Sequence, residues 1–316
     1  MVGKITVVGA GHVGATAAQG IARRHLAREV VMVDIVDGIP QGKGLDMYES
    51  SPIEGWDTRI TGSNGYEESA GSEIVVITAG LARKPGMSRD DLLQKNTEIV
   101  REVSGKVKEA SPDAILIMVS NPLDIMSYVA KETTGFPRER VIGMAGVLDT
   151  ARFRSFVAEE LDVSVRDVQA LLLGGHGDTM VPLPRYTTIG GIPLPQWLDD
   201  DSIDELVERT KGGGGEIVDL MGTSAWYAPG AAAAEMTEAI IKDNKRVLPA
   251  AAYCDGEYGV EDLFIGVPVK LGADGVEEII EVELTDEEQA QFETSAEHVH
   301  SNLDDLERLR EAGEIG

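Results

Sequence analysis

Four short β-branched runs recur in the first half of the chain: Ile5-Thr6-Val7-Val8, Val30-Val31-Met32-Val33, Ile74-Val75-Val76-Ile77 and the run AILIMV at 114–119. They restrict the fold more than any other feature. A strand that is apolar at consecutive positions is buried on both faces, and such strands belong to parallel sheets covered by helices on either side. Between the runs, 13–26 and 89–110 carry apolar residues at helical spacing. The pattern is β-α-β with right-handed crossovers, and the expected fold class is α/β with an N-terminal doubly wound parallel sheet. After about residue 145 the pattern changes. A helical stretch at 148–161 is followed by an apolar run at 168–173, Gly- and Pro-rich connections as far as Pro195, and a charged tail of helical spacing at 285–310. Residues 311–316 are expected to fray. This half is read as a C-terminal α+β substrate domain, so the expected domains are 1–145 and 146–316. Gly212, Gly213, Gly214 and Gly215 sit between two helical patterns. Four glycines in a helix interior cost about 1 kcal/mol each, so a break or hinge is expected there. The acids from Asp199 to Glu208 read as a solvated helix start, favoured near the positive end of the helix dipole.

Charge and cysteine content narrow the function classes. Acidic residues number 55 against 28 basic ones, a net charge of −27, which repels nucleic acid. So large an excess also repels itself unless concentrated cations screen it, and the expectation is a salt-adapted protein rather than an ordinary acidic one. No run approaches the ~18 apolar residues of a membrane span. Met1-Val2-Gly3-Lys4 leads straight into a strand pattern without the features of a secretory signal. Cys254 is the only cysteine, which excludes an intrachain disulfide and a multi-cysteine metal cluster. The expected location is the cytoplasm, with no membrane partner and no metal.

GAGHVG at 9–14 follows the first strand run and opens the first helical pattern, and Asp34 ends the second strand run 20 residues beyond Gly14. That context turns a weak glycine motif into a dinucleotide fingerprint of the Rossmann type. Gly9 permits the tight turn, Gly11 lets the backbone approach a pyrophosphate at the helix N-terminus, and Gly14 lets the helix lie close on the sheet. Asp34 accepts hydrogen bonds from a ribose diol and repels a 2′-phosphate, so NAD is the expected cofactor. His12 occupies a variable position of the motif and is given no role.

Hydride transfer at a carbinol carbon also moves a proton at the oxygen, and a group titrating near neutrality must handle it. His176, in LLLGGHGD at 171–178, follows a strand-like run and is flanked by glycines. Asp149 and Arg152 stand three apart and so share one helix face. One face of that kind can hold a histidine and meet a substrate carboxylate with a guanidinium fork. The plain alternative is a surface ion pair worth a few tenths of a kcal/mol. His298 and His300, two apart, make a poor metal pair and are expected to face solvent.

Together with GLARKPGMSR at 80–89, SNP at 120–122 and LDTAR at 148–152, these motifs resemble the lactate and malate dehydrogenase superfamily over nearly the full chain, most of all its lactate-dehydrogenase-like malate dehydrogenase branch. The resemblance implies that His176 is the proton donor and acceptor, Asp149 its partner and Arg152 the clamp on the substrate's C1 carboxylate. It implies that Asn121 holds substrate and cofactor, that the Asn121-Pro122 bond is cis, and that Ser224 lines the substrate pocket. It makes 81–89 a closing loop in which Arg89 polarises the reacting carbonyl. Arg83 stands where a lactate enzyme has a neutral glutamine, which points to a second carboxylate, hence to malate and oxaloacetate. Branch members form tetramers or dimers, so a homo-oligomer is expected. A lactate or other 2-hydroxy-acid dehydrogenase, and a catalytically silent NAD-binding redox sensor, remain the alternatives.

Overall fold

The computed structural model describes residues 1–81 and 88–315. The first half supplies strands β1 (Val2–Val8), β2 (Ala27–Val33), β3 (Arg59–Ser63), β4 (Ile74–Ile77), β5 (Ile115–Met118) and β6 (Val141–Gly143). Helices α1 (His12–Arg23), α2 (Ile39–Glu54), α3 (Arg89–Ala110) and α4 (Leu123–Thr134) connect them. Helix α5 (Gly146–Leu161) leads into five two-residue strands: β7 (Val168–Gln169), β8 (Leu172–Leu173), β9 (Val181–Pro182), β10 (Thr188–Ile189) and β11 (Ile192–Pro193). Helices α6 (Asp200–Met221) and α7 (Tyr227–Ile241) follow, then β12 (Arg246–Cys254), β13 (Leu263–Gly272), β14 (Gly275–Ile279) and α8 (Asp286–Glu311).

Nine strands make one sheet in the order β14-β13-β12-β6-β5-β4-β1-β2-β3. From β3 to β6 every pairing is parallel, with registers such as Ile5 opposite Ile74 and Ile74 opposite Ile115. Every residue of β4 and β5 is buried, as strands covered on both faces require. The expected α/β class and doubly wound parallel sheet are present. Beyond β6 the direction changes, because β12 joins it antiparallel through Ala251 opposite Gly143 and the β12–β13–β14 meander extends the same sheet. The carboxyl ends of β1, β4 and β5 lie side by side. Strand order reverses between β1 and β4, which is where such sheets bind ligands.

The apolar run at 168–173 supplies two strands, β7 and β8, which belong to different sheets, each pairing antiparallel with a later strand; one expectation needs correction. The four glycines are neither break nor hinge, because α6 runs through them unbroken. Packing overrides propensity here. Asp199 caps the helix by accepting from the Ser202 N–H at 2.9 Å, and Ile203, Leu206 and Thr210 are buried on the face turned to α5. Arg209 spans the run by pairing with Glu216, reaches Glu159 of α5, and lies 4.0 Å over the Phe156 ring.

Gly212 and Gly215 have open space where a Cβ would stand. Alanine at either should stabilise the fold by about 1 kcal/mol through helix propensity. Denaturant midpoints of the two variants check this; a loss of stability would show that the helix needs the glycines' backbone freedom.

Candidate active site

Residues from four elements converge at the carboxyl edge of the sheet. Helix α5 starts directly after β6 and points its first turn inward, burying Asp149 at 2% exposure. The Asp149 Oδ2 atom lies 2.8 Å from His176 Nδ1, and its Oδ1 accepts from Arg152 Nη1 at 3.0 Å. An ionised carboxylate only accepts, so Nδ1 carries the proton and Nε2 is left for the substrate oxygen. The shared helix face inferred from the three-residue spacing of Asp149 and Arg152 is therefore used on both of its members. Arg152 Nε is buried and finds no partner among the described residues.

The histidine's loop is fixed from behind. Gly174 exchanges both backbone hydrogen bonds with Gly266 of β13, at 2.9 and 3.0 Å, and a Cβ on Gly266 would stand 2.4 Å from the Gly174 carbonyl oxygen. Ser295 of α8 accepts from the Gly175 N–H at 2.8 Å. Burial disfavours the imidazolium of His176, but the Asp149 carboxylate at Nδ1, aided by Asp124, outweighs it and holds the pKa above the ordinary histidine value.

Beside His176 a cavity of about 180 Å³ is lined by Asn121, Asp124, Arg89, His298 and Asn302 among others. Arg89, the first residue of α3, points its Nη2 to within 3.3 Å of His298 Nε2, so His298 is half-buried in the cavity wall instead of facing solvent, while His300 is exposed as expected. The Asn121-Pro122 bond is cis, as expected. Asn96, fully buried on α3, ties the cavity's edge together: it accepts from Leu81 N–H at 2.7 Å and donates to the Asn121 carbonyl at 2.6 Å. Arg83 lies outside the described residues. Ser224 is exposed between α6 and α7, and no described hydrogen bond ties it to His176.

The glycine loop forms the other end of the site. Gly9 has φ of +100°, and a Cβ on Gly14 would stand 1.8 Å from the Gly9 carbonyl oxygen, so close helix–strand packing demands glycine. Gly11 begins α1 without a side-chain cap and with open space before it. Asp34 Oδ2 accepts from the Ala10 N–H at 2.7 Å and Oδ1 from Val36 N–H at 3.0 Å, which fixes the carboxylate at the end of β2. Lys43 of α2 reaches the Ala10 carbonyl at 2.7 Å, adding a cation to the loop. His12 stacks on Trp226 at 4.7 Å. Sequence reasoning missed Asp124, Asn96, Lys43 and the placement of His298. Of these, only Asp124 carried a visible signal, three residues after Asn121 in one helix start.

Comparison with known proteins agrees with this geometry. Residues 3–143 match the family described as lactate/malate dehydrogenase, NAD binding domain, and residues 146–309 match its alpha/beta C-terminal domain. A malate dehydrogenase of Salinibacter ruber is 73% identical over 99% of this chain and 100% of its own length. One of Chloroherpeton thalassium is 58% identical over 97% of this chain and 99% of its own. The 1.55 Å structure of malate dehydrogenase from Salinibacter ruber superposes with a TM-score of 0.95 at 72% identity, covering 98% of this chain and 99% of the other. A lactate dehydrogenase of Cryptosporidium parvum complexed with lactic acid and nicotinamide adenine dinucleotide gives 0.91 at 40% identity, covering 95% and 96%.

Gly213 is buried against Arg152, and a Cβ there would stand 3.2 Å from Arg152 Cδ. Gly213→Ala should displace the guanidinium and raise the KM for a carboxylate substrate about tenfold. Steady-state kinetics beside Gly212→Ala, expected to keep the KM, check this; an unchanged KM in both would separate the glycine run from substrate binding.

Proposed function

The chain belongs to the lactate/malate dehydrogenase family, and from that premise we infer an NAD-dependent enzyme that interconverts malate and oxaloacetate. The observation that carries the catalytic assignment is the buried Asp149 carboxylate bonded at once to His176 and Arg152. The fit to NAD rests on the uncapped α1 N-terminus at Gly11, the close packing at Gly14, and the fixed Asp34 carboxylate, which would hold pyrophosphate and ribose hydroxyls. When bound, NAD supplies the hydride acceptor for malate oxidation.

The chain's own residues do the rest. Arg152 grips the C1 carboxylate, and its buried, unpartnered Nε supports a two-point contact. Asn121 orients the hydroxyl-bearing carbon from the cavity wall, and Ser224 adds a contact from the loop ahead of α7. Arg89 leaves His298 and turns to the substrate oxygen. Arg83 pairs with the second carboxylate and sets the preference for a dicarboxylate over pyruvate or lactate. Neutral His176 takes the hydroxyl proton at Nε2 in malate oxidation, and Asp149 steadies the imidazolium. In oxaloacetate reduction the imidazolium returns that proton.

The reading also places residues 1–145 with the cofactor and 146–316 with the substrate, and the enzyme in the cytoplasm within the tricarboxylic acid cycle. Among the described residues no helix is long and apolar enough to cross a membrane. Exposed apolar side chains on α2 (Leu45, Tyr48, Ile53) and at the end of α6 (Val218, Leu220, Met221) support a homo-oligomer, a tetramer or a dimer. The net charge of −27 supports salt adaptation.

The test is NADH oxidation with oxaloacetate and with pyruvate across pH. The His176 pKa is raised, so the donor form persists to higher pH than in a free histidine: oxaloacetate reduction should hold a plateau below the raised pKa and fall as pH rises through it, while malate oxidation rises. Oxaloacetate should be strongly preferred, and His176→Asn should lose about 10²–10⁴ in rate. Preference for pyruvate would return the reading to a lactate enzyme, and NADH binding without turnover would favour the silent sensor. For salt, unfolding should require more denaturant in molar salt than in dilute buffer; equal stability in both would remove the salt-adaptation reading.

A further inference from the structure

A second carboxylate stands behind the histidine, and neither the family motif nor the mechanism above uses it. Asp124 is the second residue of α4, three residues after Asn121, and is 8% exposed. Its Oδ2 accepts from the His176 backbone N–H at 3.3 Å, while Oδ1 is buried without a partner among the described residues. Glycine at 175 is demanded by Thr179 and Val299, whose Oγ1 and Cγ2 a Cβ would meet at 2.9 and 3.1 Å, and this holds the His176 main chain where Asp124 can reach it. A buried carboxylate with one long hydrogen bond is expensive, and an asparagine would accept the same N–H without a charge. The charge must therefore serve something that a neutral acceptor would not.

The groups facing His176 identify what that is. Asp149 and Arg152 approach from α5, Asp124 from α4, and Arg89, His298 and Asp305 line the same cavity from α3 and α8, with Asp305 already paired to Arg308. Asp149 is already shared with the Arg152 guanidinium, which leaves the second proton on the imidazole only partly balanced. We propose that Asp124 is a positioning residue for proton transfer: it holds the main chain of His176 and supplies the second negative charge that favours the imidazolium. This deepens the reading of His176 as proton carrier and rests on it. Burial pushes the Asp124 pKa up to about 6, against the opposing pull of His176, so the two groups titrate as a coupled pair. In malate oxidation the proton taken up at Nε2 makes an imidazolium that Asp149 stabilises at Nδ1 and Asp124 from the main-chain side. In oxaloacetate reduction its departure leaves Asp124 as a less compensated charge.

Asp124→Asn keeps the acceptor and removes the charge. In kcat/KM for oxaloacetate at saturating NADH, the pH midpoint should move down by about one unit, while the low-pH plateau stays. At a pH above the wild-type midpoint the variant should then be slower by about tenfold. Ser127→Ala, on the same helix, alters a buried hydroxyl that among the described residues bonds only the Leu123 carbonyl, at 2.9 Å, and should leave the midpoint where it is. A wild-type measurement stands independently of the variant's folding: ¹⁵N shifts of the His176 ring in the NADH complex should titrate in two steps, one of them near the Asp124 value of about 6. A midpoint unmoved in Asp124→Asn, or a single-step wild-type titration, would overturn the proposal and leave Asp124 a structural acceptor. If His176→Asn left the wild-type pH profile in place, the assignment of His176 itself would fall, and the role of Asp124 with it.

Discussion

Asp149 holds an imidazole and a guanidinium on one buried carboxylate, and much of the architecture serves to keep it there. Each oxygen has a single strong partner, His176 on one side and Arg152 on the other. Removing either partner would leave a buried charge partly unpaired, which costs several kcal/mol. The pair has to be brought together over 27 residues of chain. Helix α5 can supply its half because it begins at the end of β6, inside the sheet. The histidine half needs an anchor of its own, and β13 provides it through the two backbone bonds between Gly174 and Gly266. The antiparallel extension of the sheet is thus part of the active site's support.

Helix α6 shows how the same demand reaches outward. Glycines at 212–215 weaken a helix on propensity alone, yet one of them is buried where a larger residue would press on Arg152. The neighbouring ion pairs of Arg209 and the apolar face of α6 hold the helix together across the weak stretch. A local rule is broken beside the residue that must stay in place for chemistry, and tertiary packing compensates.

The division between what was legible in the sequence and what was not follows from the range of the interactions. The four β-branched runs, the Gly9 to Gly14 loop with Asp34, and the Asp149–Arg152 spacing are each written within a few residues or one helix turn, and each appears in the structure in its expected form. The strands of the second half were hidden. β12 reads RVLPAAAYC, poor in β-branched residues and interrupted by proline, and becomes a strand through its partners β13 and β6. The spacing of His298 to His300 is local, whereas its contact with Arg89 spans 209 residues. Asn96 and Lys43 act on backbone N–H and carbonyl groups, which carry no sequence signal at all.

The charge distribution gives these local facts a common sense. A chain with a net charge of −27 must bind an anionic dicarboxylate and an anionic cofactor, and its overall field opposes both. The site answers by gathering scarce cations close to where the ligands would lie: half-buried Arg152 on Asp149, exposed Arg89 at the cavity wall, half-buried Lys43 over the glycine loop. In a screened solution the distant surface carboxylates fade within a Debye length, while charges in direct contact with a ligand do not. Buried acids such as Asp149 and Asp124 then do not simply add to the surplus. They sit within reach of a group that can become positive, so their charge is used to control where one proton resides.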